Sequence, residues 1–135
     1  MTIYKTFQVP DDKMKECFDL VKENMYDLDV VSSLGWNDEE KLKEMKKKDG
    51  FYLIFDEGFV SIRFEIRGSG IMTYLWEIQL KKDQRRKGLG KEMMTVIEKI
   101  AKKAMCTRVS LLVLKCLLFS FTLNATLTSN SQYRC

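Results

Sequence analysis

Gln84-Arg85-Arg86-Lys87-Gly88-Leu89-Gly90 separates a run of period-two hydrophobicity at residues 74–80 from a run of helical period at residues 91–105. That order of strand, basic glycine turn and helix constrains the chain more than any other feature. Two glycines let the backbone bend tightly and approach a ligand. The first N–H groups of the helix have no partner within it, and the positive end of its dipole faces the same way. Such a turn cradles an anion, and pyrophosphate is its natural guest.

The chain has 135 residues, 45% of them hydrophobic and 31% charged, which gives room for one soluble domain with a single core. Its net charge of +4 hides a division. Residues 1–80 hold 11 Lys/Arg against 16 Asp/Glu, whereas residues 81–108 hold 10 against 3. Positive charge gathered at the glycine turn suits a phosphorylated cofactor, and by itself would equally suit nucleic acid. No aromatics are interleaved through residues 81–108, so a stacking platform for bases is not expected. Lys99, Lys102 and Lys103 read as the solvated face of a helix.

Histidine is absent, which removes HExxH zinc sites, Ser-His-Asp and Cys-His catalysis and any histidine base. Chemistry must run on carboxylates, tyrosines or backbone. Cys17, Cys106, Cys116 and Cys135 form no Cys-x-x-Cys pair, so no metal is expected and a reducing compartment fits. The N-terminus does not read as a signal peptide, and Lys115 interrupts the apolar residues 111–123. Neither secretion nor a membrane span is expected.

Residues 3–9 predict a first strand ending before Pro10. Asp11 or Asp12 then caps a helix over about 12–28, with Met14, Phe18, Val21, Met25 and Leu28 as its apolar stripe. After a loop at 30–35, Asn37 opens a second helix with Asp38, Glu39 and Glu40 at its positive end and lysines before Gly50. Residues 51–55, 59–67 and 71–80, separated by Asp56-Glu57-Gly58 and Gly68-Ser69-Gly70, predict an antiparallel meander. Met93, Met94, Ile97, Ile100, Ala101 and Ala104 form the buried stripe of the helix after the glycine turn. Residues 108–114 are a further strand, and a strand–helix–strand unit of this length sets its two strands parallel. The expected fold is mixed α/β, a meander followed by a parallel crossover, flanked by helices.

This order of elements, with Arg85-x-x-Gly88-x-Gly90 after the strand end Ile78-x-Leu80, resembles the acetyl-CoA motif of the GNAT acyltransferases. Leu34-Gly35-Trp36-Asn37-Asp38, Phe51-Tyr52-Leu53-Ile54, Arg63-Phe64-Glu65, residues 74–80 and residues 85–91 further resemble the histone-specific N-alpha-acetyltransferases of the NatD type. The likeness covers about residues 16–115. It implies transfer of an acetyl group from acetyl-CoA to the N-terminal amine of histone four and histone two-A tails, which begin Ser-Gly-Arg-Gly. A monomer acting in the nucleus and cytoplasm, without direct nucleic-acid or membrane contact, goes with that resemblance.

The resemblance also implies roles. The amides of Arg85, Arg86, Lys87, Gly88, Leu89 and Gly90 would bind the CoA diphosphate, and Ile78, Gln79 and Leu80 would pair with the pantetheine arm. Arg86, Lys87 and Lys91 would meet remaining phosphates, although surface solvation also accounts for each of them. Glu77 falls at the catalytic glutamate, Glu65 at an acidic substrate-binding position, and Tyr74 and Trp76 at aromatics lining the peptide site. Independently of any family, an α-amine has a reference pKa of ~7.7–8.0, so one carboxylate, directly or through a water, suffices to free its lone pair. Simpler accounts stand beside these: a solvent-facing strand residue for Glu77, a cross-strand partner of Arg63 or Arg67 for Glu65, and core packing for Tyr74 and Trp76.

After Lys115 the likeness stops. Residues 116–123 are apolar, and a Ser/Thr/Asn-rich stretch follows to Cys135. The expected organisation is a GNAT-like domain at 1–115 with an incomplete C-terminal part, and a divergent tail at 116–135. Residues 116–123 are able to pair as an extra strand but bring no replacement for lost CoA contacts, and the uncovered apolar sheet face invites aggregation. The Asn124-Ala125-Thr126 sequon reads as chance. A catalytically silent CoA-binding or protein-interaction fragment is therefore the alternative to an active enzyme.

Overall fold

The computed structural model describes residues 1–30, 35–47, 49–112 and 118–122. Among these residues six strands form one sheet in sequence order: β1 (Thr2–Lys5), β2 (Phe51–Phe55), β3 (Gly58–Arg67), β4 (Gly70–Leu80), β5 (Arg108–Leu112) and β6 (Leu118–Thr122). All neighbours are antiparallel except β4 and β5, which are parallel. Helices α1 (Asp11–Val30) and α2 (Asp38–Met45) lie between β1 and β2, and α3 (Leu89–Lys103) carries the crossover from β4 to β5. Mixed α/β architecture, meander and parallel crossover are all as the sequence predicts.

The meander forms because each separator closes a tight turn. Gly68 has φ +58° and Ser69 does not share it, so a left-handed first turn residue, open to glycine, matches the twist of the flanking strands. The two sheet faces are then covered differently. Leu53, Val60, Ile62 and Leu75 pack against Met93, Ile97 and Ala101 of α3. On the other face Tyr52 and Phe59 pack against Met14, Cys17, Leu20 and Val21 of α1 and Met45 of α2. Burial pushes the Cys17 thiol up to about 12, so it is a neutral core group and not a nucleophile.

Three sequence expectations shift and a fourth is met. The first strand stops at Lys5, because the Thr6 N–H donates to the Gly50 carbonyl at 3.0 Å and residues 6–8 close into a 3₁₀ turn. Asp11 and Asp12 do not cap α1. The Pro10 carbonyl accepts from Met14 N–H, so both acids sit inside the first turn, where their charge meets the dipole. α3 opens at Leu89, two residues earlier than its periodicity suggests, because its first turn includes the cradle residues themselves. β6 pairs with β5 from Arg108↔Thr122 to Leu112↔Leu118, so an added strand does form from part of 116–123. The 115/116 boundary, the loop at 31–34, Cys116, Cys135 and the sequon lie outside the described residues. On the α3 face at the β3–β4 hairpin, Ile66 remains 83% exposed beside Phe64 and Ile71.

Candidate active site

β4 is the spine of the site, and a bulge decides what it presents. Ser61 pairs with Glu77 and Ile62 with Leu75, leaving Trp76 as the extra residue. Strict alternation would have set Glu77 on the face opposite Tyr74 and Trp76. With the bulge, Leu75, Ile78 and Leu80 face α3, whereas Tyr74, Trp76, Glu77 and Gln79 share the face toward α1 and α2. One inserted residue thus brings acid and aromatics together, a recurrent use of bulges beside functional sites.

Glu77 is held on both oxygens. Lys41 Nζ of α2 donates to Oε2 at 3.1 Å, and Gln79 Nε2 donates to Oε1 at 2.6 Å. The network extends in both directions. Lys41 also reaches Glu44 Oε1 at 3.3 Å, and that oxygen accepts from Trp76 Nε1 at 3.0 Å. Asn24 of α1 donates to Gln79 Oε1 at 3.0 Å and to the Leu80 carbonyl at 2.9 Å. Burial pulls the Lys41 ammonium down, but Glu77 and Glu44 outweigh it and hold it above its ordinary value. Lys41 is therefore cationic throughout the neutral range.

Tyr74 and Trp76 lie with ring centroids 5.5 Å apart, and the Arg63 guanidinium sits 3.9 Å over the Trp76 ring. Arg63 is directly across from Tyr74 in the β3–β4 register, and Glu65 is two residues further along the same face. Burial, then Glu65, push the Tyr74 phenol up against the opposing effect of Arg63, which keeps it a neutral hydrogen-bond donor. A cavity of about 400 Å³ opens beside Met72 and Tyr74, with Thr107 and Arg108 on its other side. Glu65, Tyr74, Trp76 and Glu77 are thus gathered on one face.

The other end of β4 leads to the cradle. β5 pairs with β4 only from Met72 to Leu75, so Ile78, Gln79 and Leu80 have no β5 partner among the described residues. The Gln84 and Arg85 N–H groups turn back onto Lys81 and Lys82. In contrast, the N–H groups of Arg86, Lys87, Gly88, Leu89, Gly90 and Lys91 donate to no protein acceptor among the described residues, the first bond into the helix being Glu92 N–H to the Gly88 carbonyl. Residues 85–88 are exposed, and Leu89 and Gly90 are half-buried. Arg85, Arg86, Lys87 and Lys91 have no ion-pair partner there either. Gly88 has φ +81° and Arg86 φ +61°, an alternation that turns successive N–H groups into one concavity. Gly90 has no such requirement, because a Cβ there would meet Leu80 at an ordinary 3.6 Å. The tight bend therefore rests on Gly88 and a strained Arg86, not on two glycines.

The sequence model of the acetyltransferase (GNAT) family matches residues 14–118. The chain belongs to that family. GNAT folds use acetyl-CoA, and the six unengaged amides with four unpaired cations fit its diphosphate. Among solved structures, an aminoglycoside 6'-N-acetyltransferase in complex with coenzyme A is similar, with a TM-score of 0.59 at 15% identity over 82% of this chain. This chain spans 61% of that enzyme's length. A protein from Pyrococcus furiosus described as an acetyl transferase has a TM-score of 0.60 at 19% identity, with 83% of this chain and 81% of the other covered. The aminoglycoside 6'-N-acetyltransferase of Enterococcus faecium has a TM-score of 0.56 at 16% identity, with coverage of 82% and 61%. These likenesses show the GNAT fold.

Lys41, Glu44, Asn24 and the Gln79 side chain are site residues that the sequence reading missed. Lys41 and Glu44 have the spacing of a solvated helix pair, and nothing local reveals that α2 lies over β4. Asn24 did carry a signal. It falls three residues after buried Val21 and seven after buried Cys17, a polar residue on an apolar stripe, which needs a partner when buried. Its Oδ1 is buried without one among the described residues. Among the described residues no group of three or more His, Cys, Asp or Glu is placed to hold a metal ion, and no helix is long and apolar enough to cross a membrane.

Gly88→Ala tests the turn. A Cβ there meets nothing within 4 Å, so the penalty is torsional alone, about 1–2 kcal/mol for a left-handed alanine. Urea unfolding is expected to show that loss, and acetyl-CoA titration a weakened Kd. An unchanged unfolding midpoint and Kd would contradict the left-handed bend.

Proposed function

We propose that this chain moves the acetyl group of acetyl-CoA to a peptide N-terminal α-amine, with Ser-Gly-Arg-Gly histone tails as acceptors. One observation carries the reading: among the described residues six unengaged amides lie at the turn into α3, just beyond the strand that gathers the half-buried Glu77, Trp76 and Tyr74 on one face. Glu77 stands three residues before Leu80, about 10 Å along an extended strand, which suits a thioester reached by an arm anchored at the turn. Glu65 and the Tyr74 phenol would receive the basic and polar groups of the tail. The likeness of residues 34–38, 51–54, 63–65 and 74–91 to NatD-type enzymes supports the choice of acceptor.

The acetyl donor supplies an activated thioester. Glu77 accepts a proton from the substrate ammonium, and the freed nitrogen lone pair forms the C–N bond as the C–S bond breaks. The second amine proton leaves with the departing thiolate, giving free thiol and amide. Gln79 and Lys41 occupy one lone pair on each Glu77 oxygen, and each oxygen retains another for the amine.

Mass spectrometry after incubation with acetyl-CoA and a Ser-Gly-Arg-Gly peptide tests the reading. One acetyl at the α-amine is expected, with an N-terminally blocked peptide and an aminoglycoside left unmodified. Acetyl-CoA binding with no acceptor modified would favour the silent CoA-binding fragment. Modification of the aminoglycoside alone would replace the acceptor class.

A further inference from the structure

We propose that Lys41 is a positioning residue for the Glu77 base, an inference that rests on the acetyl transfer put forward above. Its ammonium fixes the carboxylate in the geometry that receives the amine proton, and so ties the rate of transfer to the seating of α2 on β4. The Lys41 and Glu77 side chains are only 18% and 14% exposed. A pair so shielded from water is screened little, and its geometry is held more firmly than that of a surface pair.

The carboxylate is held by one donor on each oxygen, and the two donors are anchored from different helices. Lys41 holds Oε2, while the Gln79 amide holds Oε1 and is itself pinned by Asn24 of α1. Glu44 oxygen bridges Lys41 to the Trp76 indole, so the bulge residue and its acidic neighbour are braced by the same ammonium. The charged and titratable groups around this carboxylate are Lys41 and Glu44 from α2 and Tyr52 from β2, while Arg63 of β3 lies over the Trp76 ring. Of these, Lys41 alone is a cation in hydrogen-bond contact with Glu77 among the described residues. Without it Oε2 loses its donor and the carboxylate keeps only the Gln79 contact, about which it can turn. A displacement of about 1 Å in a reacting group is enough to cost about a hundredfold in rate.

A double-mutant cycle with Lys41→Met, Glu77→Gln and the pair, assayed on the Ser-Gly-Arg-Gly peptide, reads this directly. Lys41→Met is expected to lower kcat about 10- to 100-fold, with KM for acetyl-CoA unchanged because the cradle is untouched. Lys41→Arg should restore the greater part of the loss. In the Glu77→Gln background, Lys41→Met should cost almost nothing further, since a positioning residue has no one left to position. The double variant carries neither charge, so it also guards against misfolding caused by an unpaired acid. Additive losses in kcat, or equal losses for Met and Arg at unchanged unfolding midpoint, would overturn the proposal while leaving the acetyltransferase reading intact. Absence of transfer by the unmodified chain would overturn that reading and this inference with it.

Discussion

Glu77→Gln is expected to lower kcat for peptide acetylation about 10²- to 10⁴-fold, the range that a positioned base contributes. The change is nearly isosteric and removes the charge together with the ability to take a proton. Local structure should survive it. Lys41 retains Glu44 at 3.3 Å, so no isolated cation is left in the sheet–helix interface, and the single carbonyl oxygen of a glutamine can still accept from one of the two donors, Lys41 or Gln79. Binding of acetyl-CoA should be unaffected, because the amides of residues 86–91 are contributed by the turn and α3. The measurement is kcat and KM for both substrates, with thiol release followed alongside peptide mass. A kcat within about threefold of the unmodified chain would remove Glu77 from the chemistry.

Gly58→Ala should produce the largest structural effect. A Cβ at Gly58 would lie 2.0 Å from the Gln79 carbonyl oxygen and 3.0 Å from Leu80 Cα. Both obstacles are backbone, so no side-chain rotation relieves the contact, and β3 and β4 must separate where Gly58 pairs with Leu80. Ordinary overpacking costs about 1–3 kcal/mol. A clash against backbone in a central strand pair belongs at or above the upper end, about 3 kcal/mol or more, a large share of the ~5–15 kcal/mol that holds a typical domain. The shift also falls on the strand end expected to pair with the pantetheine arm. Urea unfolding should therefore show a markedly lower midpoint, and any folded fraction should bind acetyl-CoA weakly. An unchanged midpoint would mean that β3 and β4 are not in this register. The contrast with Gly88→Ala is informative, since one glycine is required by its neighbours' backbone and the other by its own torsion.

Much of this architecture is legible in local sequence. The period-two runs of the meander, the Gly68-Ser69 turn, the apolar stripe of α3 and the glycine turn before it each act over a few residues. Short-range sterics and hydrogen bonding therefore suffice to specify them. The cradle is the clearest case. Four of its donors, Gly88 to Lys91, are unengaged because the start of a helix leaves them so. Arg86 was the exception within it, a left-handed arginine that no propensity suggests.

The face on which Glu77 stands was decided elsewhere. Alternation along residues 74–80 predicts the wrong side for it, and only the Ser61/Ile62 register shift against β3 turns Glu77 toward Tyr74 and Trp76. The groups that hold it are likewise remote, Lys41 lying 36 residues away and Asn24 bonding across 55 to Gln79. A strand pairing and the seating of two helices set these relations. The sequence alone therefore determined the glycine turn and the strands and helix that flank it, through short-range interactions. Tertiary packing determined which side chains meet there, because a bulge and a buried ion pair exist only between elements already brought together.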